Sequence, residues 1–280
     1  MEYLLAPDEG HGFARPVNNL AMFMAVEKFL AAHLGGRYQD GGSPQVVARL
    51  DEITVDPKTV VLSKTVDPSA VGVPHVTSEL KSGTYHYDAK LSMGDQQMAL
   101  KLSTTIADAD GVWVVTENLD TPMGEMSDTT TLEKGSLTLM KRHLQQGPVA
   151  IYLEFSSGKI TGTMEMNGDD QAISEDLDGP LFADAAGANF AIGCLPLADG
   201  FSTAFRNFDV QKHKVKLMQL QVAGAETIGI FDTFKVELSS ADGGPDKSTV
   251  WIDKETRTPV KISTLMAEMG GATLTAELLP

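Results

Sequence analysis

Two stretches decide the fold, Thr84-Tyr85-His86-Tyr87-Asp88-Ala89-Lys90-Leu91-Ser92-Met93 and Met98-Ala99-Leu100-Lys101-Leu102-Ser103-Thr104-Thr105-Ile106. In both, apolar and polar side chains alternate, which is the pattern of a β-strand with one buried and one solvated face. Between them, Gly94-Asp95 favours a hairpin turn. The pair therefore predicts an antiparallel sheet.

The same alternation recurs along the rest of the chain, separated by turn signals such as Asp110-Gly111 and Ser157-Gly158. It gives about eleven short strands, with at most one helix between them near Gly187–Leu197. A sheet this long has to curl or close. The sequence predicts a mainly β fold, a curved antiparallel sheet or open β-barrel over residues 76–280, after a connecting segment at 45–75. The further strands are predicted at Val112–Glu117, Ser136–Lys141, Ala150–Phe155, Lys159–Met166, Val215–Val222, Phe234–Ser239, Thr249–Asp253, Val260–Leu265 and Thr273–Leu278.

A curved sheet that closes over an apolar interior is a natural cavity for an apolar ligand. The alternation predicts which side chains point inward. Because apolar residues at period two are more often plain core, the alternative is a filled interior. The candidates for a ligand cavity are Met98, Leu100, Trp113, Ile151, Leu153, Met164, Phe234 and Trp251.

The beginning of the chain has a different pattern. Tyr3–Ala6 is an apolar run typical of a buried strand, and Val17–Leu34 repeats apolar residues at helical spacing. Asn18 or Asn19 is a candidate cap for this helix, and Gly35-Gly36 supplies its stop. The glycine-bearing stretch up to Pro44 has the composition of a linker, so residues 1–44 are predicted to be a separate region.

The string Asp8-Glu9-Gly10-His11-Gly12-Phe13, its distance to the helix and the Leu34-Gly35-Gly36 stop resemble the C-terminal end of prolyl oligopeptidase-family serine peptidases. The resemblance covers about 36 residues and implies the last strand, histidine loop and last helix of an α/β-hydrolase. In that family the histidine is the general base for a serine. The resemblance therefore assigns this role to His11, as a relic.

A serine hydrolase also needs a nucleophile and an acid, which precede the histidine in α/β-hydrolases. Ten residues precede His11, and no Gly-x-Ser-x-Gly occurs anywhere in the chain. We therefore expect the isolated chain to have no peptidase activity and to contain a hydrolase remnant. The alternative is that the chain is the C-terminal part of a split peptidase, active only when another chain supplies the serine and the aspartate.

Three stretches of the β region resemble a family of bacterial cell-envelope β proteins of unassigned function: Ser82–Tyr87, Val222–Val236 and Val250–Lys261. That family is similar in outline to the lipoprotein-localisation carriers, whose open barrels hold acyl chains. The resemblance implies a non-enzymatic module that binds an apolar or lipid-like ligand. It also implies a periplasmic or cell-envelope location for the full-length family.

The composition of the chain disfavours some classes of partner. The formal net charge of −16 and the pI near 4.7 disfavour nucleic acid, because like charges repel phosphate. No run reaches the ~20 apolar residues of a membrane span, and the N-terminal residues lack a signal peptide, so the chain as written is expected in the cytoplasm. The single cysteine, Cys194, is expected to be a buried, inert thiol.

No metal or cofactor is predicted. The acidic run from Asn167 to Gly179 fails the EF-hand template and is interpreted as a solvated loop. His75, His86, His143 and His213 have no zinc-site spacing, so they are expected to be ordinary histidines. The apolar stripe of Leu20, Phe23, Leu30 and Leu34 predicts self-association through the helix, or docking to a hydrolase chain.

Overall fold

The structure, a computed structural model, describes residues 3–9, 12–39, 41–59, 66–67, 70–94, 96–121, 124–156, 158–210 and 212–280. The chain divides into two compact units. One spans Met1–Ser63 together with Met266–Ala272, and the other spans Lys64–Leu265 with Thr273–Pro280. The predicted boundary at residue 44 falls inside the first unit.

In the residues that the structure describes, the second unit contains a fourteen-stranded antiparallel sheet. The prediction of a mainly β fold with a large antiparallel sheet is confirmed. The strands of the sheet are β3 (Gly83–Met93), β4 (Gln96–Ala109), β5 (Val112–Thr121), β6 (Gly124–Glu133), β7 (Leu139–Gln146), β8 (Val149–Ser156), β9 (Lys159–Met166), β10 (Asp169–Asp176), β11 (Ser202–Asp209), β12 (Lys214–Ile228), β13 (Phe231–Ser240), β14 (Lys247–Asp253), β15 (Pro259–Met266) and β16 (Ala272–Leu278).

The strand order is two meanders joined side by side. One runs β3 to β10, the other β11 to β16, and β16 pairs with β3 to join them. The sheet is therefore an open ladder with β10 at one edge and β11 at the other. A single stretch of chain, between β10 and β11, separates the two meanders.

Turn chemistry explains the hairpins. Asn167 and Gly168 form a two-residue loop with φ values of 54° and 87°, and Asp110 and Gly111 do the same at 40° and 89°. Paired positive φ values match the right-handed twist of the flanking strands, and asparagine, aspartate and glycine tolerate them best. The acidic run after Asn167 is consequently strand β10, and its interpretation as a loop is wrong.

The curl of the sheet follows from two hydrogen bonds. Leu139, in β7, donates its N–H to the carbonyl of Leu181, at 3.0 Å, and Phe182 donates to the carbonyl of Arg206, in β11, at 3.3 Å. In the strand order β7 and β11 are ten spacings apart, which would be about 48 Å in a flat sheet. Because two consecutive residues bridge them, the sheet must curl until β7 faces β11.

The segment Leu177–Leu197 fills the interior of the curled sheet, and we call it the plug. It includes the short helix α3 (Ala188–Gly193), which agrees with the predicted helix near Gly187–Leu197. Most side chains between Leu181 and Leu197 are buried, and they belong to the same apolar cluster as the inward side chains of the strands. The core of the sheet is thus completed by a segment that is not itself part of the sheet.

The first unit contains α1 (Pro16–Leu34), α2 (Pro44–Ile53) and a two-stranded ladder of β1 (Tyr3–Leu4) with β2 (Thr54–Val55). Its core is built around Ala21, Val46 and Ile53. The predicted α1 is confirmed, but its predicted cap is wrong. Proline is favoured at a first helical position, and α1 begins at Pro16 with Arg15 before it.

Two other expectations for the first unit are corrected. Tyr3 and Leu5 are about half exposed, so β1 is not a buried strand. The helix α2 lies across the predicted linker and connecting segment. Ser43 caps it by accepting a hydrogen bond from the N–H of Val46.

Candidate functional site

The inner face of the sheet is the candidate site, and seven of the eight predicted cavity residues lie on it. Trp113, Leu100, Ile151 and Leu153 are buried in the apolar cluster. Met98, Met164 and Phe234 are partly buried and pack against the same cluster. The structure therefore brings these residues together, with the plug packed into the same apolar cluster.

Trp251 lies elsewhere. Its neighbours Val250 and Ile252 are fully buried, so the alternation along β14 directs Trp251 to the other face. There its indole Nε1 donates to Glu226 Oε2 at 2.9 Å, and the ammonium of Lys261 lies 5.6 Å from its ring centre. Placing Trp251 on the inner face was wrong.

A cluster of charged groups interrupts the apolar inner face. Arg142, in β7, donates from Nη2 to Asp128 Oδ2 at 2.8 Å and from Nε to both oxygens of Asp128 at 3.2 Å. Arg142 Nη1 lies 3.9 Å from Asp184 Oδ2, on the plug. Side-chain exposures of 13% for Arg142, 8% for Asp128 and 9% for Asp184 place this ion-pair network inside the sheet.

Glu117, in β5, is directly opposite Asp128 in the strand register. Thr104 donates its hydroxyl to Glu117 Oε2 at 3.5 Å. Burial first, and then the neighbouring charge of Asp128, raises the pKa of Glu117 to about 7. The cluster therefore contains one fixed cation, two aspartates and one carboxyl group that is partly protonated at neutral pH.

Sequence reasoning missed all four of these groups. The sequence did contain an indication of Glu117, because Glu117 follows Trp113 and Val115 at every second position of β5 and so lies on the same inward face. A charged residue at an apolar phase indicates a buried polar partner. The partners Arg142 and Asp184 are far away in sequence, so the alternation could not have identified them.

The plug is attached to its surroundings by a few specific contacts. Thr130 donates its hydroxyl to the carbonyl of Ala186 at 2.7 Å. The N–H groups of Thr77 and Ser78 both donate to the carbonyl of Cys194, at 2.9 and 3.3 Å. These bonds satisfy plug carbonyls that would otherwise be buried without partners.

Cys194 is buried in the plug, as predicted. Its Sγ lies 3.6 Å from the carbonyl oxygen of Phe190, and the side chain of Ser78 lies close enough to affect the pKa of the thiol. Burial raises the pKa of the thiol to about 11, so it is protonated at neutral pH. A protonated, enclosed thiol is a poor nucleophile.

A surface cleft of about 580 Å³ borders the start of the plug at Asp178. It is bordered by Arg206, Lys214 and Lys216 together with Asp209 and Asp246. Lys216 pairs with Asp246 at 3.2 Å and with Asp209 at 3.7 Å. None of the predicted cavity residues borders this cleft.

In the first unit, His11 lies outside the described residues, so its placement stays a prediction. The two acids that precede it are tied to the start of α1. Asp8 pairs with Arg15 at 2.7 Å and with Arg49, and Glu9 accepts from Arg15 N at 2.8 Å and from Asn18 at 2.7 Å. Asn18 is a buried link in this network.

The described ranges contain no group of three or more histidine, cysteine, aspartate or glutamate side chains arranged to hold a metal ion. No helix within them is both long and apolar enough to cross a membrane.

Residues 80–278 match the profile of a protein family described as "Protein of unknown function (DUF3108)". The chain belongs to this family. The sheet and the plug lie wholly inside the matched residues, so they are the DUF3108 part of the chain. The prediction that this region resembles a β family of unassigned function is confirmed.

The other predicted resemblance is also confirmed. Over 40 residues, the chain is 60% identical to dipeptidyl aminopeptidase BIII of Pseudoxanthomonas mexicana, a match that takes in 14% of this chain and 6% of that protein. The chain therefore spans a small part of the length of this peptidase.

Two solved structures align with low similarity. The hypothetical lipoprotein YmcC from Escherichia coli (K12) aligns over 91% of this chain and 96% of its own, with a TM-score of 0.33 and 11% identity. A DUF1329 family protein from Desulfovibrio piger aligns over 71% and 84%, with a TM-score of 0.26 and 10% identity.

Proposed function

We propose that the DUF3108 part of the chain is a non-enzymatic module of the cell envelope that binds an apolar, lipid-like molecule on its inner face. The observation that carries the proposal is that one non-sheet segment, the plug, fills the interior of an apolar curled sheet. Met98, Leu100, Trp113 and Leu153 would contact the ligand after the plug moves out. The envelope location rests on the resemblance of residues 82–261 to a cell-envelope family.

The proposal requires the protein to have two states, one with the plug in the interior of the sheet and one with the plug out. Ligand and plug compete for the same apolar surface, so the apparent affinity equals the intrinsic affinity reduced by the fraction of open molecules. Locking the plug in place must then abolish binding. The chain offers a lock, because Ser78 is next to Cys194: its backbone N–H donates to the Cys194 carbonyl at 3.3 Å, and its side chain lies near the thiol.

The experiment is the substitution Ser78→Cys, which places a second thiol beside the native one. Oxidation is expected to form a reversible disulfide between the plug and the segment before β3. Binding of the neutral apolar dye N-phenyl-1-naphthylamine is then measured by fluorescence. We expect wild type and reduced Ser78→Cys to bind it, oxidised Ser78→Cys to bind at least about tenfold more weakly, and dithiothreitol to restore binding.

Ser78→Ala carried through the same oxidation is the matched control, because it keeps Cys194 without a partner thiol. It should bind like the wild type throughout. Equal binding by the locked and unlocked forms would show that the plug does not gate the inner face. No binding by the wild type would contradict the proposed function itself.

The 60% identity to a dipeptidyl aminopeptidase favours a second candidate for the first unit, a role in a peptidase assembly. We propose that the chain has no peptidase activity alone and that His11 would act only with a serine and an aspartate from another chain. Hydrolysis of p-nitrophenyl butyrate and of dipeptidyl coumarin amides should be absent in wild type and His11→Ala alike. Turnover that is lost in His11→Ala would contradict this.

A further inference from the structure

The plug carboxylate of Asp184 interacts with two groups of the sheet, a backbone hydrogen-bond donor and a guanidinium at ion-pair distance. Its Oδ2 accepts the backbone N–H of Phe208, in β11, at 3.1 Å and lies 3.9 Å from Arg142 Nη1, in β7. Its Oδ1 accepts only the N–H of the following plug residue, Ala185, at 2.7 Å. One carboxylate oxygen of Asp184 thus faces both a cation and a neutral hydrogen-bond donor of the sheet.

These donors are positioned without the plug. Asp128 holds Nε and Nη2 of Arg142, which leaves Nη1 as the end of the guanidinium that faces the interior. The Phe208 N–H is fixed by the ladder between β11 and β12. If the plug leaves, both donors stay in an apolar surrounding without an acceptor, which is unfavourable.

We propose that Arg142 Nη1 and the Phe208 N–H form a carboxylate seat, filled by Asp184 when the plug is in place and by the carboxylate of a fatty-acid-like ligand when it is out. This inference rests on the proposed function and names its ligand class. The apolar tail would lie along the neighbouring inward side chains, among them Leu153, which is opposite Arg142 in the register.

The charges that face the seat explain why the head group should carry a single negative charge. Arg142 comes from β7, Asp128 from β6 and Glu117 from β5. The guanidinium of Arg142 already pairs with Asp128, so it can balance the charge of one further carboxylate. A phosphate dianion would add a charge next to Asp128 and Glu117, where like charges repel.

The first test needs no lipid. Asp184→Ala empties the seat, and its thermal midpoint is compared in sodium acetate and in sodium chloride at equal ionic strength and pH. We expect the variant to unfold at a lower temperature than the wild type in chloride and to recover by several degrees in acetate, because acetate supplies the missing carboxylate. The wild type, whose seat is filled, should show no difference between the two salts.

Asp178→Ala, at an exposed carboxylate near the start of the plug, is the matched control and should not respond to acetate. A folded Asp184→Ala that behaves alike in the two salts would overturn the seat. If Asp184→Ala fails to fold, the second measurement decides, since it uses wild type and the conservative variant Arg142→Lys.

The second test is competition against N-phenyl-1-naphthylamine by palmitate, 1-hexadecanol and hexadecyl phosphate. We expect the wild type to bind palmitate about tenfold more tightly than the alcohol, the gain of a charge-assisted hydrogen bond. Arg142→Lys keeps a positive charge beside Asp128 but lacks the Nη1 group that faces the ligand. It should reduce the preference for palmitate over hexadecanol to about twofold or less.

The outcomes separate the two proposals. Palmitate and hexadecanol binding equally to the wild type would overturn the seat and leave the proposed function standing. Hexadecyl phosphate binding more tightly than palmitate would overturn the carboxylate class. Failure of all three to compete, together with failure of the dye to bind, would contradict the proposed function.

Discussion

Glu117 occupies an inward position of β5 where the neighbouring inward side chains, Trp113 and Val115, are apolar and buried. Its only described hydrogen bond comes from Thr104, at 3.5 Å. The folded chain therefore stabilises the protonated form of this carboxyl group. That preference makes the stability of the β unit depend on pH.

The direction in which stability changes with pH follows from the number of protons that the folded and unfolded chains bind. The pKa of Glu117 is raised from an ordinary value of 4.5 to about 7, so between these values the folded chain holds a proton that the unfolded chain has released. The free energy of unfolding should fall as pH rises through this window and level off above it. Because Glu117 is partly exposed, we expect a fall of about 1–2 kcal/mol, less than the full shift would give.

Glu117→Gln should remove this component, because glutamine can still accept the Thr104 hydroxyl and never ionises. Urea denaturation at pH 5, 6, 7 and 8 measures the slope for both proteins. The matched control is Glu165→Gln, at an exposed position of β9, which should keep the wild-type slope. A Glu117→Gln protein with the same slope as the wild type would show that Glu117 does not cause it.

At the scale of single residues, the sequence predicted the buried apolar positions well and the polar ones poorly. Period-two alternation assigned Trp113, Leu100 and Leu153 to the inner face correctly. It failed for Trp251, because an aromatic ring can be held on the outer face by a carboxylate and a lysine. Nothing local in sequence indicates that Arg142 meets a plug residue.

At the scale of elements, three strands of the sheet were missed for three physical reasons. The inward positions of β6 include the polar residues Asp128 and Thr130, so its alternation is hidden. The edge strand β10 is exposed on both faces over most of its length. The other edge strand, β11, has adjacent buried residues, Phe205 and Arg206, because the plug segment borders it.

The contact between the plug and the β14–β15 turn is tight enough to test. A Cβ atom at Gly193, the last residue of α3, would lie 2.1 Å from the carbonyl oxygen of Arg257. Gly193→Ala must therefore push α3 away from this turn. We expect a loss of about 2–3 kcal/mol in the free energy of unfolding and tighter binding of N-phenyl-1-naphthylamine, because the plug is loosened.

The matched control is Gly72→Ala, where an added Cβ meets nothing within 4 Å. It should change neither stability nor dye binding. Urea denaturation and fluorescence titration measure both quantities. A destabilised Gly193→Ala that binds the dye no better than the wild type would argue against the plug as the gate of the inner face.

The helix α1 carries an apolar stripe that its own unit leaves exposed. Leu20, Phe23, Leu30 and Leu34 are 56%, 52%, 45% and 78% exposed. The buried face of α1 consists instead of Asn18, Ala21 and Ala25. We propose that this stripe associates with a second copy of the chain or docks to a hydrolase chain, with self-association favoured.

Phe23→Asp combined with Leu30→Asp should convert a self-associated wild type into a monomer, because it places two charges in the stripe. Light scattering over a concentration series measures the mass. Lys28→Asp, at an exposed position of the same helix, changes the net charge equally without removing apolar surface and should remain associated. A monomeric, soluble wild type would contradict self-association.

At the scale of the whole molecule, we propose that the β unit folds without the first unit. The β unit has one large apolar cluster of its own, whereas the first unit has three buried apolar side chains at its core. A fragment of residues 64–280 should therefore unfold cooperatively near the wild-type midpoint. A fragment of residues 1–63 should show no cooperative transition, because so small a core contributes little.

Circular dichroism during thermal unfolding tests both fragments. The full chain in the same buffer serves as the reference for the midpoint. Loss of the cooperative transition in residues 64–280 would mean that the first unit is needed for the fold of the sheet.

The pairing of β16 with β3 has a kinetic consequence. Thr275, in β16, donates to the carbonyl of Lys90, in β3, across 185 residues, whereas the other neighbouring strands within each meander follow one another directly along the chain. During synthesis the first meander can assemble hairpin by hairpin, but β3 stays an unpaired edge until the ribosome has released β16. Such long-range pairing is slow, and an open apolar edge in a nascent chain invites association with the wrong partner. The first meander is therefore most vulnerable between the completion of its eight strands and the emergence of β16.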